Sequence, residues 1–150
     1  MHEKFRQGVV EKNYLALVVG DWQLGEQLID KPLLVTHRRG GERHVIVSAD
    51  GKAAQTRVRL SRTYGKYSLV QCSPLTGRTH QIRVHLQSVG FPLAGDDRYG
   101  DADANSRVRA LGLQRLFLHA QSISFPDEHG NEQHFTAPLA DDLDRFLSAL

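Results

Sequence analysis

The stretch YSLVQCSPLTGRTHQIRVHLQSVGFP, residues 67–92, decides the fold of this chain, because the spacing of its apolar side chains changes along it. Residues 67–72 form a compact apolar run that predicts a β-strand. After Pro74 the apolar side chains take the spacing of one helical face: Ile82, Leu86 and Val89. A helix is therefore predicted over about residues 79–89, with Gly90 as its C-terminal stop.

Further strands are predicted on both sides of this stretch. NYLALVVG (13–20) has the continuous apolar character of a strand that is buried on both faces. Residues 45–73 are predicted to form a meander of antiparallel strands, because alternating side chains are interrupted by turn residues. RLFLHAQSISF (115–125) is predicted to be a strand pair or one bent strand, and QHFTA (133–137) a short strand. We expect an α+β fold with a mixed, mostly antiparallel sheet and a few packed helices, in a single domain over residues 1–150.

Three other segments have simpler patterns. LGEQLIDKPLLV (24–35) is predicted to be irregular, and the polar GDDRYGDADANSRV (95–108) is predicted to be a loop. A final helix is predicted to open at Pro138, because the residues after it carry an amphipathic stripe: Leu139, Leu143, Phe146, Leu147 and Leu150.

Composition narrows the functional classes. The chain has 150 residues, 40% hydrophobic content and a net charge of +2, as in ordinary globular domains. It contains no apolar run of membrane-spanning length, and its N-terminus lacks the apolar region of a signal peptide. Its one cysteine, Cys72, is predicted to be a buried hydrophobe and suits a reducing, cytoplasmic location. Two basic clusters could contact phosphate, although solvated surface is the alternative: Arg38, Arg39 and Arg43, then Arg57, Arg59, Arg62 and Lys66.

The polar segment PLTGRTHQIRVH, residues 74–85, offers several kinds of site. A metal site is disfavoured, because His80 and His85 lie about 140° apart around a helix. A phosphate cradle is favoured more, since a glycine turn before a helix exposes backbone N–H groups and Arg78 adds positive charge. The segment nevertheless lacks the glycine spacing and the lysine of a P-loop. The structural alternative is that the glycine permits the turn and Thr79 caps the helix.

Two more side chains have open interpretations on pattern alone. Arg83 lies at the border of the apolar stripe, where a partly buried cation requires a carboxylate partner. A structural ion pair and a site residue are equally favoured, and no partner is evident nearby in the sequence. Tyr14 begins the first buried strand, and its pattern favours a core tyrosine with its hydroxyl at the rim.

Together these motifs resemble a known family. KNYLALVVG, PLTGRTHQIRVHLQSVGFPLAGDDRYG and LFLHAQSISFPDEHGNEQHFTAPLADDL resemble the pseudouridine synthases that modify ribosomal large-subunit RNA, most of all their C/D branch. The resemblance implies isomerisation of a flipped-out uridine in RNA, without a metal or organic cofactor. It also implies that Tyr14 stacks on the base and is a candidate general base, and that Arg83 pairs with the catalytic aspartate. The residues expected to contact RNA are Arg78, Thr79, His80 and Gln81.

The aspartate of that family is the point at which this chain departs from it. The family places it in an H-R-L-D-x-x-T-S-G motif upstream of the tyrosine strand, and no such motif occurs in the 150 residues. Asp96 and Asp97 fall in G-D-D-R-Y-G, which corresponds to a family loop. The chain is therefore expected to be the C-terminal portion of a catalytic domain that is inactive alone. Strand edges left by a missing segment would favour association with that segment or self-association.

Two alternatives from other classes stay open. The chain could be a non-catalytic RNA-binding module whose basic strands and helix terminus hold RNA without modifying it. It could also be a truncated product with no independent role. RNA affinity without turnover would support the first of these, and the absence of affinity would support the second.

Overall fold

A six-stranded antiparallel sheet forms the centre of the computed structural model, which describes residues 10–150. Its strands lie in the order β2-β5-β6-β1-β7-β8, and β3 pairs with β4 in a separate two-stranded sheet. The strands are β1 (Glu11–Val19), β2 (Gln27–Asp30), β3 (Leu33–His37), β4 (Arg43–Val47), β5 (Gln55–Thr63), β6 (Tyr67–Pro74), β7 (Leu118–Pro126) and β8 (Glu132–Thr136). The helices are α1 (Gln81–Ser88), α2 (Ala102–Ala110) and α3 (Asp141–Ser148). The α+β class with a mostly antiparallel sheet is confirmed.

Strand β1 lies near the middle of the sheet and buries both of its faces, as its continuous apolar run predicts. Ala16 and Val18 pack in one cluster with Ile82 and Leu86 of α1. Leu17 packs on the opposite face, in a cluster with Leu143 and Phe146 of α3. Side chains alternate between the faces of a strand, so a strand covered by helices on both sides must be apolar at every position.

Helix α1 follows β6 through the glycine turn and covers one face of the sheet. It begins at Gln81, two residues later than the predicted Thr79, and it ends at Ser88 before Gly90, which has a φ of 91°. His80 occupies the N-terminal cap in the left-handed conformation, with a φ of 54°, and no side chain caps the helix there. The structural alternative in which Thr79 is the cap is therefore wrong.

Four sequence predictions about regular structure need correction. The final helix does not open at Pro138, because α3 begins three residues later, at Asp141. Residues 24–35 are not irregular, because they contain β2 and the start of β3. Residues 95–108 are not all loop, because α2 begins at Ala102, where the side chain of Asp101 accepts a hydrogen bond from the N–H of Ala104. The polar composition concealed α2, since its buried side is narrow. The meander is limited to β5 and β6, because β4 pairs with β3.

The two-stranded sheet, which we call the basic hairpin (residues 33–47), is attached to α1 by a small cluster of its own. Leu33 and Val45 pack there with Val84 of α1 and with Tyr99. Positive φ angles of 91° and 84° at Gly40 and Gly41 form the turn, a conformation that glycine adopts without a steric penalty. The hairpin is thereby held beside the N-terminal end of α1.

Two further features bear on the sequence predictions. Cys72 is buried, as predicted, and burial raises the pKa of its thiol to about 12, so it is not a reactive thiolate. Within residues 10–150, every helix is too short or too polar to cross a lipid bilayer.

Candidate active-site cavity

An open cavity of about 410 Å³ lies where β1, the turn after β6 and the first turn of α1 meet. Leu118, the first residue of β7, and Leu116, two residues before it, form its apolar wall. Five of the six residues predicted for the site line this cavity: Tyr14, Arg78, His80, Gln81 and Arg83. Thr79 lines a neighbouring cavity of about 420 Å³, between the same turn and the basic hairpin. Residues that are 69 positions apart in the sequence are thus brought to one wall.

Tyr14 stands on β1 at the point where its pairing with β7 shifts register between Asn13 and Tyr14. A β-bulge of this kind redirects a side chain and often occurs beside an active site. The ring packs against the apolar cluster beneath α1. Its hydroxyl has no hydrogen-bond partner in the described residues, so it is available to a group that enters the cavity.

Arg83 has a carboxylate partner, although none is evident from the neighbouring sequence. Its Nε donates to Oδ2 of Asp96 at 2.9 Å and its Nη2 donates to Oδ1 at 2.8 Å. The Asp96 side chain is 0% exposed and that of Arg83 is 20% exposed. Burial raises the pKa of the Asp96 carboxyl, but the hydrogen bonds and the charge of Arg83 outweigh it and lower this pKa overall. The pair is therefore ionised on both sides.

The loop that carries Asp96 packs its backbone closely against neighbouring backbone. Oδ1 of Asp96 also accepts hydrogen bonds from the backbone N–H groups of Arg98 and Tyr99, both at 3.0 Å. A side chain at Gly100 would collide with the carbonyl oxygen of Asp96, and one at Gly95 would collide with the backbone of Arg115. Both glycines of the sequence GDDRYG are thus needed for the backbone that positions the Asp96 carboxylate. The sequence pattern predicted only a loop for this segment.

One side of the Arg83 guanidinium remains for the cavity. Arginine has five N–H donors, and Asp96 accepts from two of them. The other three make no hydrogen bond within residues 10–150 and are available to a ligand. The guanidinium carbon lies 5.1 Å from the centre of the Tyr99 ring, in cation–π contact. Tyr99 was missed at the sequence level, because a tyrosine in a polar loop carries no periodic signal.

Gln81 was expected to contact RNA, but its side-chain amide is buried and bound by the protein itself. The residue is 4% exposed, and its side-chain amide makes four hydrogen bonds to the protein. Oε1 accepts from the Thr76 hydroxyl and from the Arg78 N–H, while Nε2 donates to the Gln55 carbonyl and the Thr56 hydroxyl. An amide has two donors and two acceptor positions, and all are used. Gln81 therefore holds the glycine turn against β5.

A second buried group continues this network. The Thr56 hydroxyl accepts from Gln81 and donates to Nδ1 of His85 at 2.8 Å, and Nε2–H of His85 donates to the Lys31 carbonyl at 2.9 Å. These directions require a neutral imidazole. Burial, the largest cause, lowers the pKa of His85, which agrees with the neutral form.

Positive charge surrounds the opening of the cavity. Lys12 and Arg78 join Arg83 in lining it, and no aspartate or glutamate of the described chain lines it. Arg78 is exposed, and its Nε donates to the Ala53 carbonyl at 2.9 Å, which fixes the start of the side chain. Such a wall attracts an anionic ligand, and its apolar side offers a surface for a flat ring.

The family model described as RNA pseudouridylate synthase matches residues 1–88. The chain belongs to the RNA pseudouridylate synthase family. It is 48% identical over 151 residues to the ribosomal large subunit pseudouridine synthase C of Haemophilus ducreyi, covering 100% of this chain and 47% of that protein. It is 44% identical over 153 residues to the protein of the same name from Escherichia coli, covering 48% of it. The chain thus spans about half the length of the curated relatives it matches.

Solved structures show the same fold. Human RNA pseudouridylate synthase domain containing 1 superposes with a TM-score of 0.78 and 27% identity, covering 97% of this chain and 62% of that chain. The human domain-containing protein 4 superposes with a TM-score of 0.77 at 24% identity, over 99% of this chain and 65% of that one, and supports the fold alone. The fold and family expected from the sequence are confirmed.

Proposed function

We propose that this chain supplies the tyrosine and arginine wall of a uridine-isomerising site that acts on large-subunit ribosomal RNA. The observation that carries the proposal is that Tyr14 and Arg83 line one open, positively charged cavity. Relatives that share 44–48% identity over the whole chain are named large subunit pseudouridine synthases, which supports RNA as the partner.

The chemistry assigns a separate role to each side chain. In the proposed reaction the glycosidic bond to the uracil breaks, the uracil turns, and a carbon–carbon bond forms to the same ribose. The Tyr14 ring would stack on the flipped base, and its hydroxyl would handle the proton released when the carbon–carbon bond forms. Arg83, anchored on Asp96, would direct its remaining N–H groups at an anionic group in the cavity.

The positions of three of the predicted residues support an RNA-contacting role in this proposal. Arg78 is exposed at the opening of the cavity, Thr79 lies between it and the basic hairpin, and His80 lines the cavity wall. Gln81 acts through the turn that carries these three, because its own amide is saturated by the protein. The proposal needs no metal or organic cofactor.

A second candidate is RNA binding without turnover by these 150 residues. It is favoured by one observation: within residues 10–150 the cavity wall has no carboxylate, and Asp96 is buried against Arg83 rather than facing the opening. A reaction that needs a nucleophilic carboxylate would then require one from a segment outside this chain.

Activity is tested by joining an upstream segment that contains H-R-L-D to the chain and incubating it with unmodified large-subunit RNA. Pseudouridine is then mapped by chemical probing. We expect turnover in the extended protein, loss of at least about a hundredfold in Tyr14→Phe and Arg83→Ala, and no change in Tyr64→Phe. Unchanged rates in Tyr14→Phe and Arg83→Ala would refute the assignment.

The same assay on the 150-residue chain tests the second candidate, while the extended protein tests the first. RNA binding without pseudouridine supports the binding role for this chain alone. Robust isomerisation by the 150 residues would show that a carboxylate within them serves the reaction, and it would overturn the account of Asp96 as an anchor.

A further inference from the structure

Tyr99 makes contacts that the proposed function does not use. It is buried in the loop before α2, and its hydroxyl accepts a hydrogen bond from the backbone N–H of Val45 at 3.0 Å. The same hydroxyl lies 2.8 Å from Nδ1 of His80. Its ring is in contact with the Arg83 guanidinium on the cavity wall and stacks on His44 of the basic hairpin, with ring centres 5.0 Å apart. One side chain therefore touches the cavity wall and the hairpin together.

The hydrogen bonds of the Tyr99 hydroxyl favour one tautomer of His80. The Tyr99 oxygen already accepts from the Val45 N–H, and Nδ1 of His80 is the one other polar atom within hydrogen-bond distance of the hydroxyl among residues 10–150. The phenol proton has no other acceptor within residues 10–150, so the arrangement that uses it leaves Nδ1 unprotonated and puts the ring proton on Nε2. Nε2 has no partner in the described part of the chain, and the ring lines the cavity.

The backbone supports the same orientation. His80 is the only residue other than glycine with a positive φ within residues 10–150, at 54°. That conformation is unfavourable for a histidine and persists only where surrounding contacts hold it. The saturated amide of Gln81 on one side and the Tyr99 hydroxyl on the other supply such contacts.

We propose that Tyr99 is a positioning residue of the uridine cavity, which makes His80 a neutral Nε2–H donor and seats Arg83 beside it. The proposed ligand group is an acceptor oxygen of a uridine nucleotide, so the ligand part rests on the proposed function. The Tyr99 backbone N–H donates to Asp96, which holds Arg83, and so both cavity donors depend on one residue. Burial lowers the pKa of His80, helped by Arg83, Arg98 and Arg43, and this agrees with a neutral ring.

The test is ¹⁵N NMR of the histidine side chains in the 150-residue chain without RNA. Wild-type His80 is expected to show an unprotonated Nδ1 and a protonated Nε2. Tyr99→Phe keeps the ring and removes the hydroxyl, and it should give a mixture of the two tautomers. The control is Tyr64→Phe, because Tyr64 also carries an arginine at 5.1 Å, namely Arg62, yet it does not line the cavity.

Two results would overturn the positioning role. One is a wild-type His80 protonated at Nδ1, which needs no variant and so does not depend on the folding of Tyr99→Phe. The other is a folded Tyr99→Phe in which the Nε2–H tautomer persists unchanged. Neither measurement contains RNA, and a failure of the proposed function therefore does not affect them.

The ligand is tested separately with a uridine-containing RNA oligonucleotide. Tyr99→Phe is expected to lower affinity about three- to tenfold, the effect of misaligning one or two hydrogen bonds, whereas Tyr64→Phe should not change it. Titrations with uridine and with inorganic phosphate then distinguish a uracil carbonyl from a phosphate oxygen, by which of them shifts the His80 Nε2 resonance. If the oligonucleotide binds equally well to Tyr99→Phe and the wild type, the ligand role is refuted even where the tautomer is as proposed.

Discussion

The cavity wall and the basic hairpin are both rich in arginine, but they hold their charges in different ways. On the wall, Arg83 is clamped by two hydrogen bonds to a buried carboxylate and rests on an aromatic ring. On the hairpin, Arg39 is exposed near a glycine turn and makes no hydrogen bond or ion pair within residues 10–150. A clamped cation has already lost its rotamer freedom and can position a ligand, whereas an exposed one mainly adds attraction that salt screens.

The largest effect should come from breaking the clamp with Asp96→Ala. Arg83 would keep a partly buried charge without a partner, and two backbone N–H groups would lose their acceptor. We expect the free energy of unfolding to fall by about 3 kcal/mol, measured by urea denaturation. Asp97→Ala is the matched control, because Asp97 is 85% exposed in its ion pair with Arg109, and a change within about 0.5 kcal/mol is expected. Equal losses in the two variants would contradict the contrast between clamped and exposed charges.

A somewhat smaller loss is expected from Gln81→Leu. The substitution leaves the Thr76 and Thr56 hydroxyls and the Arg78 N–H without the amide they now use. Stability should fall by about 2 kcal/mol. Gln87→Leu is the control, since Gln87 is exposed on the same helix. A variant as stable as the control would show that the turn does not depend on this amide.

The buried His85 predicts how stability depends on pH. Burial lowers its pKa in the folded chain below the ordinary value of 6.5, so the unfolded chain binds a proton that the folded chain does not. Stability should therefore be complete above about pH 7 and fall as the pH drops below 6.5, by at most about 1.4 kcal/mol per pH unit for one proton. His85→Gln should show a shallower fall in unfolding experiments from pH 7.5 to 5.5. Parallel profiles would exclude His85 as the cause.

The smallest effect concerns the hairpin. If RNA is the ligand, Arg39→Ala should weaken binding only about threefold, and should reduce the slope of log affinity against log salt by about 0.7 for one lost phosphate contact to single-stranded RNA. Arg145→Ala on α3, which packs on the opposite face of the sheet, removes the same charge as a control. An unchanged slope in Arg39→Ala would mean that the hairpin does not contact phosphate.

Sequence reasoning succeeded where local pattern carries the information. The double-sided apolar run of β1, the change of period after Pro74 and the stop at Gly90 are each read from neighbouring residues. It failed for β2 and β3, which are short, and for α2, whose buried side is narrow. β4 pairs with β3 rather than with β5. The partner of a strand depends on the other strands available in the folded chain, so the sequence of one segment does not predict it.

The sequence by itself determined the α+β class, the family and the two side chains, Tyr14 and Arg83, that meet in the cavity. The tertiary structure alone decided that Arg83 pairs with Asp96, that Gln81 is buried, and that Tyr99 joins His80 to the hairpin. The reason is physical, because these contacts join residues as far apart as Val45 and Tyr99, 54 positions along the chain. Local periodicity sets which face a side chain takes, but only the packed chain sets which partner it finds there.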